Sequence, residues 1–442
     1  MWSRSLCAVL VSFATILPAA AEDWTQFRGP RGDSVVLDSK FPEEWGEESH
    51  VAWKVPLAGR GWSQPVVANG RIFVTTAESA EEETPRRFER GIVPEAADAR
   101  KFEYRWKLLC VSADSGAMLW EQTAFEGKPK FRKHRSNTYA SETPATDGER
   151  VIACFGMTGI ACFDFNGTRL WSKDLGAFPM QAGWGTGSSP LIHEDAVIVQ
   201  CDNEQQSFLV ALDKRTGEEL WRIPRDEPSN WSTPYVWKNK VRTELVVAGG
   251  KKMRSYDPAT REILWEMAGN GRTSLSPVGN DELLYVDSVE RIMGSPGRLA
   301  AIRAGAAGDI SLQPTELAGP SVAWSVMLST YRNASPLLYA DCLYMLEQHG
   351  NVVRCYNART GELNYQQRLP GAAGSTASPW AAGGRVYCLD EVGRTTVLAS
   401  GPEFKVLVTN QLAEDLYWAS PAFTGDCMIV RSLQSLYCIG EP

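Results

Sequence analysis

Short apolar runs alternate with polar turns along almost the whole chain, and few long helical periods interrupt them. A proline opens each run of strands, usually after Ser or Thr, at Pro65, Pro144, Pro190, Pro234, Pro277, Pro336, Pro379 and Pro421. Five of the seven intervals between them are 42 to 46 residues, the period of a four-stranded propeller blade. The other two, 79 and 59 residues, each require one insertion. Within the unit that begins at Pro190, strand A is followed by an apolar strand B at 196–200 and a strand C at 208–213. A Thr216-Gly217 turn then leads into strand D and Trp221. Glycine supplies the positive φ that hairpin turns need, and proline at the first strand position forfeits no important ladder bond.

The strand D aromatic recurs as Trp120, Trp171, Trp221, Trp265 and Tyr365, which reads as packing between neighbouring blades. The last unit ends after strand C, whereas residues 50–55 carry an unused strand D pattern. The expected fold is therefore all-β. It is a single eight-bladed β-propeller of four-stranded antiparallel blades, closed by the N-terminal strand completing the last blade, which leaves no open sheet edge in the ring. The expected organisation is a leader at 1–21, an N-terminal extended segment at 22–50 and the propeller at 51–442, with a charged insertion at 78–105 in the first blade.

Composition narrows the setting. Of 442 residues, 43% are hydrophobic and 22% charged, a globular mixture, and 38 Gly with 25 Pro fit many tight turns. Arg4, the apolar run 6–17 and the small residues Ala19, Ala20 and Ala21 read as a secretory leader. The run is too short to span a bilayer, and no cysteine stands at the cleavage site, so neither a membrane span nor a lipid anchor is expected. The mature chain is expected in a periplasm or outside the cell, as a monomer. Its formal charge of −8 becomes −9 without Arg4, which disfavours nucleic acid as a partner.

Nine cysteines follow the leader. Cys110, Cys162, Cys355 and Cys438 fall at the strand C position held by Ala211, Ser255 or Ala301 elsewhere, and Cys154 and Cys388 share a strand B position. This periodicity favours packing thiols over disulfides, with Cys154–Cys162 and Cys427–Cys438 as pairs to test. No cysteine spacing fits a zinc or redox motif, and His50, His134, His193 and His349 lack the context of a triad or metal site, so no metal is expected.

The Ser-Pro start, the Leu-x-Ala-Leu-Asp third strand, the Thr-Gly turn and the strand D tryptophan resemble the repeat of pyrroloquinoline-quinone-type (PQQ-like) eight-bladed propellers. The opening 23–30 and the segment 134–139 are similar to secreted propellers of planctomycete type. The superfamily includes quinone-dependent alcohol dehydrogenases and also the non-enzymatic lipoprotein scaffold of the outer-membrane β-barrel assembly machinery. The dehydrogenases carry an adjacent Cys-Cys pair over the quinone, together with a calcium ion. This sequence has no adjacent cysteines and no acidic metal-loop signature. No cofactor is expected, with PQQ and calcium implied only if the chain is an oxidoreductase.

Strand direction assigns the loops to faces. The D-to-A and B-to-C connections share one face, which receives the long and varied loops, while the tight turns share the other. The long-loop face is expected to hold Trp62, Trp231 and Trp418, each three residues before a strand A proline, with Trp184 and Tyr139 nearby. His134, Arg135, Asn137, Trp324 and Arg332 complete the candidate site, and a basic run, Lys128, Lys130, Arg132 and Lys133, adjoins it. Two functions fit. One is a non-enzymatic binding or scaffold protein for an envelope or extracellular protein, peptide or glycan. The other is a quinone-dependent or other small-ligand enzyme at the channel mouth.

Overall fold

A computed structural model describes residues 22–37, 41–81, 83–87, 98–269, 271–287, 297–348, 351–425 and 427–441. The expected leader, the centre of the charged insertion and His349 lie outside these residues. Each blade begins directly after its proline. Strand A is Val66–Ala68 in blade 1, Ala145–Thr146 in blade 2, Leu191–His193 in blade 3 and Tyr235–Lys238 in blade 4. It is Val278–Gly279, Leu337–Tyr339, Trp380–Ala382 and Ala422–Thr424 in blades 5 to 8. Eight sheets result, each a four-stranded antiparallel blade and two of them extended by a short fifth strand in parallel, so the chain is the expected all-β propeller. Val51–Pro56 pairs antiparallel with Ser435–Ile439, with Val51 opposite Ile439 and Trp53 opposite Cys438, and this makes it the outer strand of blade 8.

The serine or threonine before each proline has a geometric cause. Its backbone N–H donates to the hydroxyl at the same position of the next blade: Thr143 to Ser189, Ser189 to Thr233, Thr233 to Ser276, Ser276 to Ser335 and Ser335 to Ser378, each at 3.0 Å, then Ser378 to Ser420 at 2.9 Å. The Gln64 amide begins the series by donating to Thr143 at 3.0 Å. A belt of buried hydrogen bonds thus encircles the axis, and each pairs an amide that no strand ladder reaches.

The outer strands interlock by a second repeated contact. Cys110, Cys162, Ala211, Ser255, Ala301, Cys355 and Cys438 each stand directly opposite a strand D aromatic, namely Trp120, Trp171, Trp221, Trp265, Trp324, Tyr365 and Trp53. A small residue is needed under each ring, and all seven are fully buried. The indole then reaches the next blade: Trp171 Nε1 donates to the Lys214 carbonyl at 3.1 Å, and its ring covers the turn glycine Gly217. Among the described residues no disulfide joins any of the nine cysteines.

The N-terminal segment does more than lead into the ring. Residues 22–37 run against the inner strands: the Trp24 carbonyl accepts from Val67, the Thr25 carbonyl from Thr146, and Val35–Val36 pairs parallel with Trp380–Ala382. Arg28, 1% exposed, reaches the carbonyls of Pro277 at 3.3 Å and of Pro336, while its amide donates to Gln64 Oε1 at 2.8 Å. Gln64 Nε2 in turn donates to the Pro421 carbonyl. Glutamine replaces the usual Ser or Thr in blade 1 where the belt meets the inserted segment. Burial pulls the Arg28 guanidinium down to about 10, with Asp33 and Tyr235 opposing.

Candidate functional site

Above the inserted segment, on the long-loop face, lies an axial concavity of about 210 Å³. Phe27 forms its floor, and its walls come from the connections that precede successive inner strands. Trp62 stacks on Trp418 with centroids 5.1 Å apart, and Trp184 packs on Trp231 at 5.5 Å. The rings are held by their own N–H groups: Trp62 Nε1 donates to the Ser136 carbonyl at 2.9 Å and Trp231 Nε1 to the Gly185 carbonyl at 2.7 Å. Between them stand the polar side chains of His134, Ser136 and Asn137. Asn137 Nδ2 donates to the Trp184 carbonyl at 2.8 Å, and His134 Nδ1 lies 2.6 Å from the Ser136 hydroxyl. Among the described residues, no lysine, arginine, aspartate or glutamate lines the concavity.

Of the residues grouped on sequence, Trp62, His134, Asn137, Trp184, Trp231 and Trp418 meet at this concavity, and the other four do not line it. Trp324 is a correction: it lies on Val322–Leu328, the outer strand of blade 5, and donates to the Ala358 carbonyl of blade 6 at 2.9 Å. It is the strand D aromatic of its blade, hidden from the sequence pattern by the insertion before it. Arg332 is also a correction. It is fully buried and held by Asp287 through two hydrogen bonds of 2.7 and 2.9 Å, a structural ion pair, while its neighbours Tyr331 and Asn333 line the concavity. Tyr139 turns aside to donate to the Phe131 carbonyl at 3.0 Å and to pack on Tyr104. Arg135 lies beside the insertion, its carbonyl accepting from the Arg86 amide at 3.3 Å.

The basic run is not a free cationic surface. Lys128 faces Glu103 at 3.8 Å, Lys130 faces Asp174 at 3.3 Å and Arg132 faces Asp98 at 3.2 Å, while Lys133 is buried with its ammonium 5.5 Å from the Tyr139 ring centre. The sequence shows no acid within the run because its partners come from the first-blade insertion and from the following connection. Arg100 and Arg132 hold the Asp98 carboxyl well below the usual carboxylate range. Phe27, the floor, escaped sequence reasoning: its chain segment lacks any repeat, and only the density of aromatic and glycine residues at 24–32 set it apart.

A family profile described as outer membrane protein assembly factor BamB matches residues 91–230 and 156–401. Among solved structures, BamB from Moraxella catarrhalis superposes with a TM-score of 0.53 at 13% identity, covering 83% of this chain and 97% of the other. No curated protein sequence matches the chain significantly. The matched segments together span well over half of the 442 residues. With its eight blades and its strand D interlock, the chain belongs to the family of PQQ-like propellers described as outer membrane protein assembly factor BamB.

Proposed function

We propose that this protein is a secreted, envelope-associated binding scaffold that works without a cofactor and takes its partner on the long-loop face. The single observation that carries this reading is the axial concavity, where four indoles converge around a floor made by the chain's own N-terminal segment. Such a surface suits an aromatic, proline or sugar ring presented by an envelope protein, peptide or glycan. The name of the matched family, an assembly factor of the outer membrane, supports the setting.

The lining argues against a quinone. Pyrroloquinoline quinone is a tricarboxylate, and among the described residues no lysine or arginine lines the concavity to receive it. Among the described residues, no group of three or more His, Cys, Asp or Glu offers the oxygen-rich set that calcium needs. The described residues of the lining do not suit this cofactor. No described helix is long and apolar enough to cross a membrane.

The test is capture of solubilised envelope proteins on the immobilised mature chain, with the double variant Trp184→Ala/Trp418→Ala as comparison. Partner capture should fall at least tenfold while the far-ultraviolet circular dichroism stays unchanged. Undiminished capture, or stoichiometric quinone binding accompanied by dye-linked alcohol oxidation, would contradict the reading.

A further inference from the structure

A second cavity, of about 50 Å³, lies between blades 2 and 3 on the same face and shares Thr186 and Gly187 with the axial concavity. Three buried polar side chains line it, and each has one atom without a hydrogen-bond partner among the described residues: Glu142 Oε1, Gln200 Oε1 and Asn230 Nδ2. These residues are 1%, 3% and 3% exposed. Buried polar groups are ordinarily paired, so three orphans on one small cavity point to an occupant.

Their neighbours fix which atom each presents. Gln200 Nε2 donates to Asp202 at 2.6 Å and to the Ala248 carbonyl at 2.7 Å, which leaves the oxygen for the cavity. Asn230 Oδ1 accepts from the Ser232 amide at 3.0 Å, which leaves the NH₂. Glu142 packs against Thr186 over Gly156, where a Cβ would stand 2.8 Å from Oε1 and collide with the threonine hydroxyl. Glycine at 156 therefore keeps the carboxyl in place. The two thiols of the cavity, Cys154 and Cys201, are pushed up by burial, Cys201 to about 12, and stay protonated.

The cavity thus presents two acceptors and one donor beside the apolar walls of Met157, Phe178 and Met180. An ammonium would leave Asn230 unpaired, and a carboxylate would meet two oxygens. We propose that this cavity binds a primary carboxamide, whose two N–H groups donate to Glu142 Oε1 and Gln200 Oε1 and whose carbonyl accepts from Asn230 Nδ2. Burial raises the Glu142 carboxyl to about 7, so above that pH the ionised carboxylate offers Oε1 as an acceptor to a neutral ligand. The carboxamide comes either from a free small amide or from an Asn or Gln side chain of a segment lying along the shared Thr186 and Gly187 wall.

The proposal is independent of the partner reading, since it is tested on the isolated mature chain. With methionine methyl groups labelled with carbon-13, propionamide should shift the Met157 and Met180 signals saturably and leave buried Met428 in blade 8 unmoved. Propylamine and propionate at equal concentration should do neither, and Asn230→Ala should weaken propionamide at least fivefold. Tighter binding of acetyl-glutamine N-methylamide than of propionamide assigns the occupant to a polypeptide side chain, and weaker binding assigns it to a free amide. The proposal is overturned if propionamide gives no saturable shift, as a purely hydrated cavity would, or if the amine or the acid binds equally well. Because that selectivity is read on the unaltered protein, it stands even if Asn230→Ala fails to fold.

Discussion

The Ser189 hydroxyl accepts the Thr143 amide at 3.0 Å, while the Ser189 amide donates to Thr233 at the same distance. Replacing Ser189 by alanine removes an acceptor and leaves a buried N–H unpaired, which should cost about 1–3 kcal/mol in urea unfolding. A loss no larger than that of an exposed Ser→Ala control would show that the belt contributes nothing. The recurrence of Ser or Thr before proline was plain in the sequence, but its purpose was not, because each partner lies a whole blade away. Glu142 makes a second prediction at this scale. Its carboxyl is raised by burial from 4.5 to about 7, with the Thr186 hydroxyl and local amides opposing the shift only in part. Below pH 4.5 both folded and unfolded chains hold the proton. As pH rises, the unfolded chain ionises first, so the folded state loses stability progressively until about pH 7. Glu142→Gln lacks this loss and should gain up to about 3 kcal/mol on the parent between pH 4 and pH 8. Parallel stability profiles would refute the shift.

Between blades, the recurring element is an outer-strand indole lying over a turn glycine of its neighbour. At Gly217, φ is +74° and an added Cβ would sit 2.6 Å from the Trp171 ring; at Gly361, the corresponding distance to Trp324 is 2.5 Å. Trp171→Ala should destabilise the protein by about 3–5 kcal/mol, since the ring fills the joint between blades 2 and 3, and denaturant midpoints will measure it. A cost below 1 kcal/mol would mean that the blades hold together by other contacts. The strand order, the small residue opposite each ring and the closing strand could all be read from periodicity, because each blade repeats the same local chemistry. Trp324 could not, since the chain between strands C and D of blade 5 is lengthened by an excursion that pairs Gly308–Asp309 with the outer strand Ile263–Ala268 of blade 4. Arg332 was misplaced for a related reason: its partner Asp287 lies on a strand 45 residues earlier, and sequence spacing does not reveal a buried pair.

For the molecule as a whole, the decisive feature is that the ring closes around its own N-terminal segment. Residues 22–37 bond to inner strands of blades 1, 2, 5, 6 and 7, and they turn an open channel into a floored concavity. A chain lacking these residues should melt several degrees lower and expose its mouth tryptophans to acrylamide. Unchanged quenching would show that the segment does not floor the concavity. Nothing in the repeat announced this role, because the segment lies outside the repeat and is held chiefly by backbone groups. Loop length alone marked the long-loop face as the working one, and photo-crosslinking tests that claim most directly. A photoreactive residue at Tyr331, on the rim of the concavity, should capture the envelope partner, whereas one at exposed Thr216 or Thr360, on the opposite face, should capture none. Equal capture from both faces, or capture from Thr216 and Thr360 alone, would contradict the account.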